Sequence, residues 1–235
     1  MTEHNFTSIA TIYSCYKEKF GIPRQPGLVA SPAIIEIDAA HSQDEAFREL
    51  ETFSHIWVIF VFHGVSNEKW KPTVRPPRLG GNQRIGVFAS RSMFRPNPIG
   101  LSVVELKNIE RKGDKIILNI MGGDFLDATP VLDIKPYIPY ADSINTLKAG
   151  YATKKPEIKF AVVFSEQVKN ELKKAKIKYP EFDAIITEIL QIDPRPAYQD
   201  KKQIKNEFAM KLYNYDLKWQ VDKKQIIVIE LTLLA

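Results

Sequence analysis

From residue 69 to residue 104 the chain has no aspartate or glutamate, yet it carries Lys69, Lys71, Arg75, Arg78, Arg84, Arg91 and Arg95. Pro72, Pro76, Pro77, Pro96 and Pro98 bar a regular helix there and disfavour interior strands, because proline lacks an N–H and fixes φ. Gly80, Gly81, Gly86 and Gly100 permit turns that other residues resist. A long irregular segment in a compact domain is either disordered or functional. Trp70, Val74, Leu79, Ile85, Val87, Phe88, Phe94 and Ile99 give this one the apolar anchors that a disordered segment lacks. An ordered cationic surface with no neutralising acid suits an anion, which arginine grips through paired N–H donors. Any one of these arginines reads equally as a solvated surface charge; the run as a whole points to anion binding.

The pattern around this segment is strand-rich. Residues 6–13 alternate loosely, and residues 28–37 are rich in Ile, Val and Ala, with Pro32 marking an edge or a bend. Ser42 is placed to cap a short helix through Leu50, with Glu45 as its capping-box partner. Residues 56–62 are β-branched and aromatic, as a buried strand requires, and are far too short a run to span a bilayer. Residues 101–110 and 115–121 flank Arg111-Lys112-Gly113-Asp114, a hairpin signal, and residues 131–134 form another short strand. Many short strands with few helices predict a small barrel or rolled sheet, with a sandwich still open.

The character changes after residue 155. Residues 160–164 read as a strand, and 166–176 and 180–191 as helices. In the second helix Pro180 suits the first turn, and Phe182, Ile185, Ile186, Ile189 and Leu190 share one apolar face. Residues 208–221 and 226–234 then read as two strands around Asp222-Lys223-Lys224. The expected organisation is a mainly β domain over residues 1–150 and a smaller α+β domain over residues 151–235, divided where the core pattern thins between 138 and 156.

Composition excludes several classes. With 235 residues, 44% of them hydrophobic and 26% charged, the chain is globular. The lone Cys15 rules out an internal disulfide framework and fits a reducing compartment, and residues 1–10 lack the pattern of a secretory signal, so a cytoplasmic protein without a membrane span is expected. Net charge is +5, weak support by itself for a polyanionic partner. His4, His41, His55 and His63 show no metal-ligand spacing, which argues against a metal hydrolase.

The run Ser90-Arg91-Ser92-Met93-Phe94-Arg95-Pro96-Asn97-Pro98-Ile99-Gly100-Leu101-Ser102 resembles the TrmO (TsaA-like) tRNA methyltransferases. Pro23-Arg24-Gln25-Pro26-Gly27, Phe53-Ser54-His55-Ile56-Trp57, Arg75-Pro76-Pro77-Arg78-Leu79-Gly80-Gly81-Asn82 and Asp127-Ala128-Thr129-Pro130-Val131-Leu132-Asp133-Ile134-Lys135-Pro136-Tyr137 agree, as does Gln191-Ile192-Asp193-Pro194-Arg195-Pro196-Ala197-Tyr198. The resemblance implies a β-barrel that binds S-adenosylmethionine and is unrelated to the Rossmann-like methyltransferases; no strand-linked G-x-G-x-x-G is present. It implies methylation of the exocyclic nitrogen of threonylcarbamoyladenosine beside the anticodon of tRNA, by a homodimer.

Carried over residue by residue, the implied cofactor contacts are Pro23, Arg24, Gln25, His63, Gly64, Arg91, Leu101, Asp124, Phe125, Leu126 and Asp127. Arg91 or Arg24 suits the donor's carboxylate, Asp124 or Asp127 its ammonium or ribose, and backbone near Leu101 and Phe125 its adenine edge. The urea-like nucleophile must lose a proton, so His63, Asp127 and Asp133 are the base candidates by type, with alignment alone as the alternative and Asp133 equally suited to pairing with Lys135 or an arginine of the acid-free segment. Arg195, fixed between prolines, is expected near the active site, with Tyr137, Tyr140 and Tyr198 as stacking candidates and Lys173, Lys174, Lys176 and Lys178 as phosphate contacts. Two positions depart from the family pattern: Gly64 where glutamine is common, and Ala128 where glycine is usual. A non-enzymatic RNA-binding barrel and a methyltransferase acting on a small molecule are the competing readings.

Overall fold

A computed structural model describes residues 2–65, 69–144, 148–195 and 207–234. Strands that alternate between a dry and a wet face close on themselves when the last can pair with the first, and the N-terminal half does this. β1 (Ala10–Ser14), β2 (Pro32–Ile37), β3 (His55–Val61), β6 (Ile99–Lys112), β7 (Lys115–Met121) and β8 (Thr129–Pro136) form a closed barrel in the order β1-β2-β7-β6-β3-β8. Every ladder is antiparallel, and β8 closes the ring against β1 with Ala10 opposite Val131. Alternate side chains fill the interior, among them Ile12, Ile35, Ile56, Val58, Leu118 and Val131, each fully buried. The barrel removes the exposed edges that an open sheet would present.

The acid-free segment is ordered as anticipated but has little regular structure. Before β6 begins at Ile99 it holds only the two-residue strands β4 (Thr73–Val74) and β5 (Ile85–Gly86), paired with each other, and short 3-10 turns. Beyond the barrel, α1 (Pro139–Asp142) leads to a second unit with β9 (Ala161–Phe164), α2 (Glu166–Ala175), α3 (Phe182–Gln191), β10 (Glu207–Leu212), β11 (Tyr215–Asp222) and β12 (Gln225–Leu233). Its sheet runs β10-β11-β12-β9, with β9 parallel to β12.

The structure corrects four local expectations. Ser42 caps no helix. Its buried hydroxyl donates to the Ile37 and Asp38 carbonyls and accepts from the Ile116 amide, and residues 39–52 form three 3-10 turns. Helix α3 starts at Phe182, so Pro180 lies before it rather than in its first turn. The expected strand over residues 208–221 is broken at Tyr213-Asn214, where Tyr213 has φ 52°, giving three strands in place of two. The first strand begins only at Ala10.

The two halves are not separate bodies. Cys15, Tyr16 and Val29 are buried in the core of the second unit, alongside Phe182, Leu212 and Trp219. Tyr16 bridges Leu212, and the Tyr213 amide donates to the Cys15 carbonyl. The connection between β1 and β2 is therefore a strap laid across the junction. Burial pushes the Cys15 thiol up to about 12, which leaves it a packing residue rather than a nucleophile.

Gly100 shows how tightly the barrel mouth is filled. A Cβ there would stand 2.2 Å from the Phe60 ring, and Phe62 and Phe125 hold that ring edge-on with centroids 5.1 and 5.0 Å away. Gly100→Ala is expected to destabilise the protein by about 2–3 kcal/mol, read from the urea midpoint. An unchanged midpoint would contradict this packing.

Candidate active site

The site begins with a mismatch in strand length. Pairing between β6 and β7 starts at Glu105 opposite Met121, whereas β6 pairs with β3 from Ile99 onward. Residues 99–104 therefore have a ladder partner on one side only, and the barrel wall is open on the other. Gly122, at φ 80°, turns the chain off the end of β7, and the following residues run past this opening. Phe125 plugs the barrel interior, 99% buried by its 1% exposure. Ser102 faces inward from β6 and donates its hydroxyl to Asp124 Oδ1 at 2.7 Å. Burial raises the Asp124 carboxyl to about 6; the Ser102 hydroxyl, its own backbone amide and the nearby Arg91 pull the other way.

The strap closes over the same opening. The Gly27 amide donates to the Gly122 carbonyl at 2.8 Å, which fixes residues 23–27 beside the glycine turn. Gln25 Oε1 accepts from Arg91 Nη1 at 2.6 Å, tying the strap to the acid-free segment. Arg24 reaches the other way, donating through Nη2 to the Arg195 carbonyl at 3.2 Å. The Arg24 residue is exposed overall, but its guanidinium lies among protein atoms. Burial lowers its pKa, Asp193 raises it and Arg78 lowers it further.

Arg24, Gln25, Arg91, Asp124 and Phe125 are thus brought together, with Pro23 buried beneath the strap. Gly64 and Leu126 adjoin them: a Cβ on Gly64 would meet Lys19 Cε at 3.0 Å and Leu126 Cδ2 at 3.4 Å. Lys19 thus occupies the space into which a side chain at 64 would project. His63 stands beside the same loop, its Nδ1 3.4 Å from Thr129 Oγ1. Leu101 points from β6 to the outside and is 51% exposed. Ala128, which stands where the family has glycine, adopts the left-handed φ of 60°, at a cost of roughly 1 kcal/mol.

Other expected residues are placed differently. Asp127 is committed to structure: Oδ1 accepts the Ser14 amide at 2.9 Å and Oδ2 pairs with Lys17 at 2.5 Å. Asp133 pairs with Lys135 at 2.7 Å and accepts its neighbour's amide. The Arg195 guanidinium is turned onto Asp193. It is 9% exposed, paired through Nε and Nη2 to Asp193 at 2.7 and 3.1 Å, and lies over the Phe160 and Phe208 rings. Tyr137 packs against Trp57, Tyr140 is 91% exposed, and Tyr198 lies outside the described residues. On the lysine-rich helix, Lys174 pairs with Glu171 and Lys176 with Asp183.

Reading the sequence missed Ser102, Lys17 and Asp193. Only Ser102 carried a signal, as a polar residue on the inward face of an otherwise apolar strand. A cavity of about 460 Å³ opens elsewhere, beside Phe47, Arg48, Ile109 and Arg111, and shares no residue with this site. No cluster of metal ligands occurs among the described residues.

The donor set fits a ligand with an amino-acid end. Such a group needs an anion for its ammonium and a cation for its carboxylate, and Asp124 and Arg91 supply both at one opening.

Comparison with known proteins gives the following. The family described as tRNA-methyltransferase O N-terminal domain matches residues 11–143, and the TrmO C-terminal domain matches residues 157–234. The tRNA (adenine(37)-N6)-methyltransferase of Escherichia coli is 46% identical over 222 residues, covering 94% of each chain. A putative S-adenosylmethionine-dependent methyltransferase, RcsF, of Pseudomonas aeruginosa is 41% identical over 95% of each chain. The crystal structure of TrmO from Pseudomonas aeruginosa superposes with a TM-score of 0.81 at 33% identity, over 98% of this chain and 99% of that one.

Two expectations follow from the geometry. The raised Asp124 carboxyl means that the native state holds a proton which the unfolded state releases at lower pH. Its contribution to stability is therefore lost as pH rises from the ordinary carboxyl range, near 4, to about 6. If the ionised form binds the ligand's ammonium, affinity for S-adenosylmethionine rises with pH up to about 6 and then levels, and Asp124→Asn flattens the profile; titration calorimetry across pH 5–8 reads both. Arg195→Ala leaves Asp193 buried without its bidentate partner. A stability loss of about 3–5 kcal/mol in chemical unfolding is expected, and a variant of wild-type stability would contradict the pairing.

Proposed function

We propose, because this chain belongs to the TrmO family of tRNA methyltransferases, that it transfers a methyl group from S-adenosylmethionine to the exocyclic nitrogen of threonylcarbamoyladenosine beside the anticodon. Family membership makes it an enzyme and removes the non-enzymatic RNA-binding reading. The observation that supports the donor part of this reading is the meeting of the Arg91–Gln25 and Asp124–Ser102 pairs at the open side of the barrel. We assign the catalytic, cofactor-binding role to residues 1–150, and to residues 151–235 a contribution to the site through the Arg195 carbonyl and to the tRNA surface. The protein acts in the cytoplasm, a setting supported by the lone buried Cys15; no described helix is long and apolar enough to cross a membrane. It works as a homodimer, a state supported by Ile99 and Leu101, 39% and 51% exposed on the barrel's outer face.

Bound S-adenosylmethionine supplies an electrophilic methyl group on a positively charged sulfur. The chain's residues bind and align. Asp124 would take the ammonium and Arg91, which the strap holds through Gln25, the carboxylate; two such anchors would align the donor for in-line transfer. Phe125 and Phe60 close the barrel interior behind the site and keep water out.

Among the three base candidates, His63 is the one without a lysine on its acceptor atoms, since Asp127 and Asp133 are paired. The Thr129 hydroxyl donates to the Leu126 carbonyl at 2.6 Å, so toward His63 it can only accept. That places the ring proton on Nδ1 and leaves Nε2 as the atom able to receive a proton.

Nucleoside mass spectrometry tests this reading directly. Purified protein, S-adenosylmethionine and tRNA bearing threonylcarbamoyladenosine should give the N-methyl form of that nucleoside. A methyl group found only on unmodified adenine would overturn the substrate assignment. Arg91→Ala is expected to weaken S-adenosylmethionine binding by about 1.5–3 kcal/mol, and unchanged affinity would remove Arg91 from the site.

A further inference from the structure

Four residues beyond Arg91, the acid-free segment encloses a second, smaller cavity of about 130 Å³, lined by Trp70, Met93, Phe94, Arg95 and Pro98. None of these residues was assigned to cofactor binding. At about 30 Å³ per water it has room for roughly four waters, or for one flat heterocycle. Its rim is preformed. The Lys71 amide donates to the Phe94 carbonyl at 3.1 Å, and the Val87 amide to the Pro72 carbonyl at 3.0 Å, so the two sides of the loop are tied by backbone.

The side chains of this loop are costly to leave in water without a partner. Trp70 is 50% exposed and Phe88, on the same segment, is 74% exposed. Arg95 is held rigid: Nη1 donates to the Val87 and Ser90 carbonyls at 3.3 and 2.8 Å, and its plane lies 5.5 Å from the Phe88 ring. Among the described residues its Nε and Nη2 have no protein partner, so a fixed fork still has donors to give. The surrounding stretch carries seven lysines and arginines and no acid. An occupant that is aromatic, flat and attached to negative charge meets every one of these features. Single-stranded RNA offers it, because unpaired bases stack on indole and guanidinium planes while the backbone meets cations.

We propose that this cavity binds a nucleobase of the RNA other than the one that is methylated, stacked on Trp70, with Arg95 donating to that base's edge or to the adjoining phosphate. This rests on the tRNA reading above. The site adjoins Arg91 along the chain, so the captured base is a near neighbour of the target in the anticodon loop.

The test uses the full-length protein, a synthetic anticodon stem-loop and a blunt RNA duplex of equal length. In Trp70→Ala, stem-loop affinity should fall and KM for tRNA should rise about tenfold, with S-adenosylmethionine affinity unchanged. Trp70→Phe keeps a ring and should retain most of the binding. In the wild type the stem-loop should quench tryptophan fluorescence, and in Trp70→Phe it should not, since Trp219 is fully buried and Trp57 is half-buried and bonded to Asp142. Because this readout needs no alanine variant, a misfolded Trp70→Ala does not block the decision.

Three results overturn the proposal: unchanged stem-loop affinity in Trp70→Ala with no quenching in the wild type; an equal loss on the duplex, which marks nonspecific charge; or a changed oligomeric state with RNA affinity intact, which makes the cavity an interface between copies of the chain. Failure of the functional reading looks different. A wild-type protein that does not methylate tRNA, yet whose Trp70 is quenched by the stem-loop, keeps this site and loses that reading.

Discussion

The hydrogen bond from Ser102 to Asp124 exists because β6 is longer than its neighbour β7. Had the two strands been matched, residues 99–104 would have been paired on both sides and the inward face of β6 would have met only apolar side chains. The mismatch leaves a gap in an otherwise closed barrel, and a glycine turn brings a carboxyl group into it. A half-buried acid in a hydrophobic barrel is unfavourable by itself, which is why its carboxyl holds a proton to about 6. It becomes favourable when a cation arrives. A site of this kind is unstable without its ligand and specific for it, in contrast to the acids at Asp127 and Asp133, whose lysine partners are built in.

The second unit matters to this gap through the strap. Residues 15–29 leave the barrel, bury Cys15, Tyr16 and Val29 in the other core, and return as β2. On the way, Gln25 takes hold of Arg91 and Arg24 takes hold of the Arg195 carbonyl. The carbonyl is in turn fixed by a buried ion pair: the Arg195 side chain is locked to Asp193, a residue at φ 59° that the pair helps to hold. Arg195 therefore bears on Arg24 from a distance, by holding the carbonyl that Arg24 contacts.

Much of this was legible in the sequence. The hairpin around Gly113, the strand count of the barrel and the two amphipathic helices follow from period and turn chemistry, and the order of the acid-free run follows from its apolar anchors. The departure at Ala128 was visible too, though its place in a glycine position left strain and an altered turn both open; the φ of 60° decides for strain. What escaped depends on three dimensions. Ser42 looks like a helix cap by spacing, but its hydroxyl serves the hairpin strand some seventy residues later, through the Ile116 amide. The break at Tyr213-Asn214 lacks glycine and proline, so nothing local separates it from a continuing strand. The pairing of Lys17 with Asp127 crosses 110 residues, and no spacing rule reaches that far.

The central claim is that the strap, the acid-free segment and the loop after β7 form one binding pocket. Hydrogen–deuterium exchange with and without S-adenosylmethionine measures it in a single experiment. Peptides covering residues 23–27, 90–102 and 122–127 should slow together and by similar factors when the ligand is added. Protection confined to residues 44–51 and 109–116, around the larger cavity, would contradict the account.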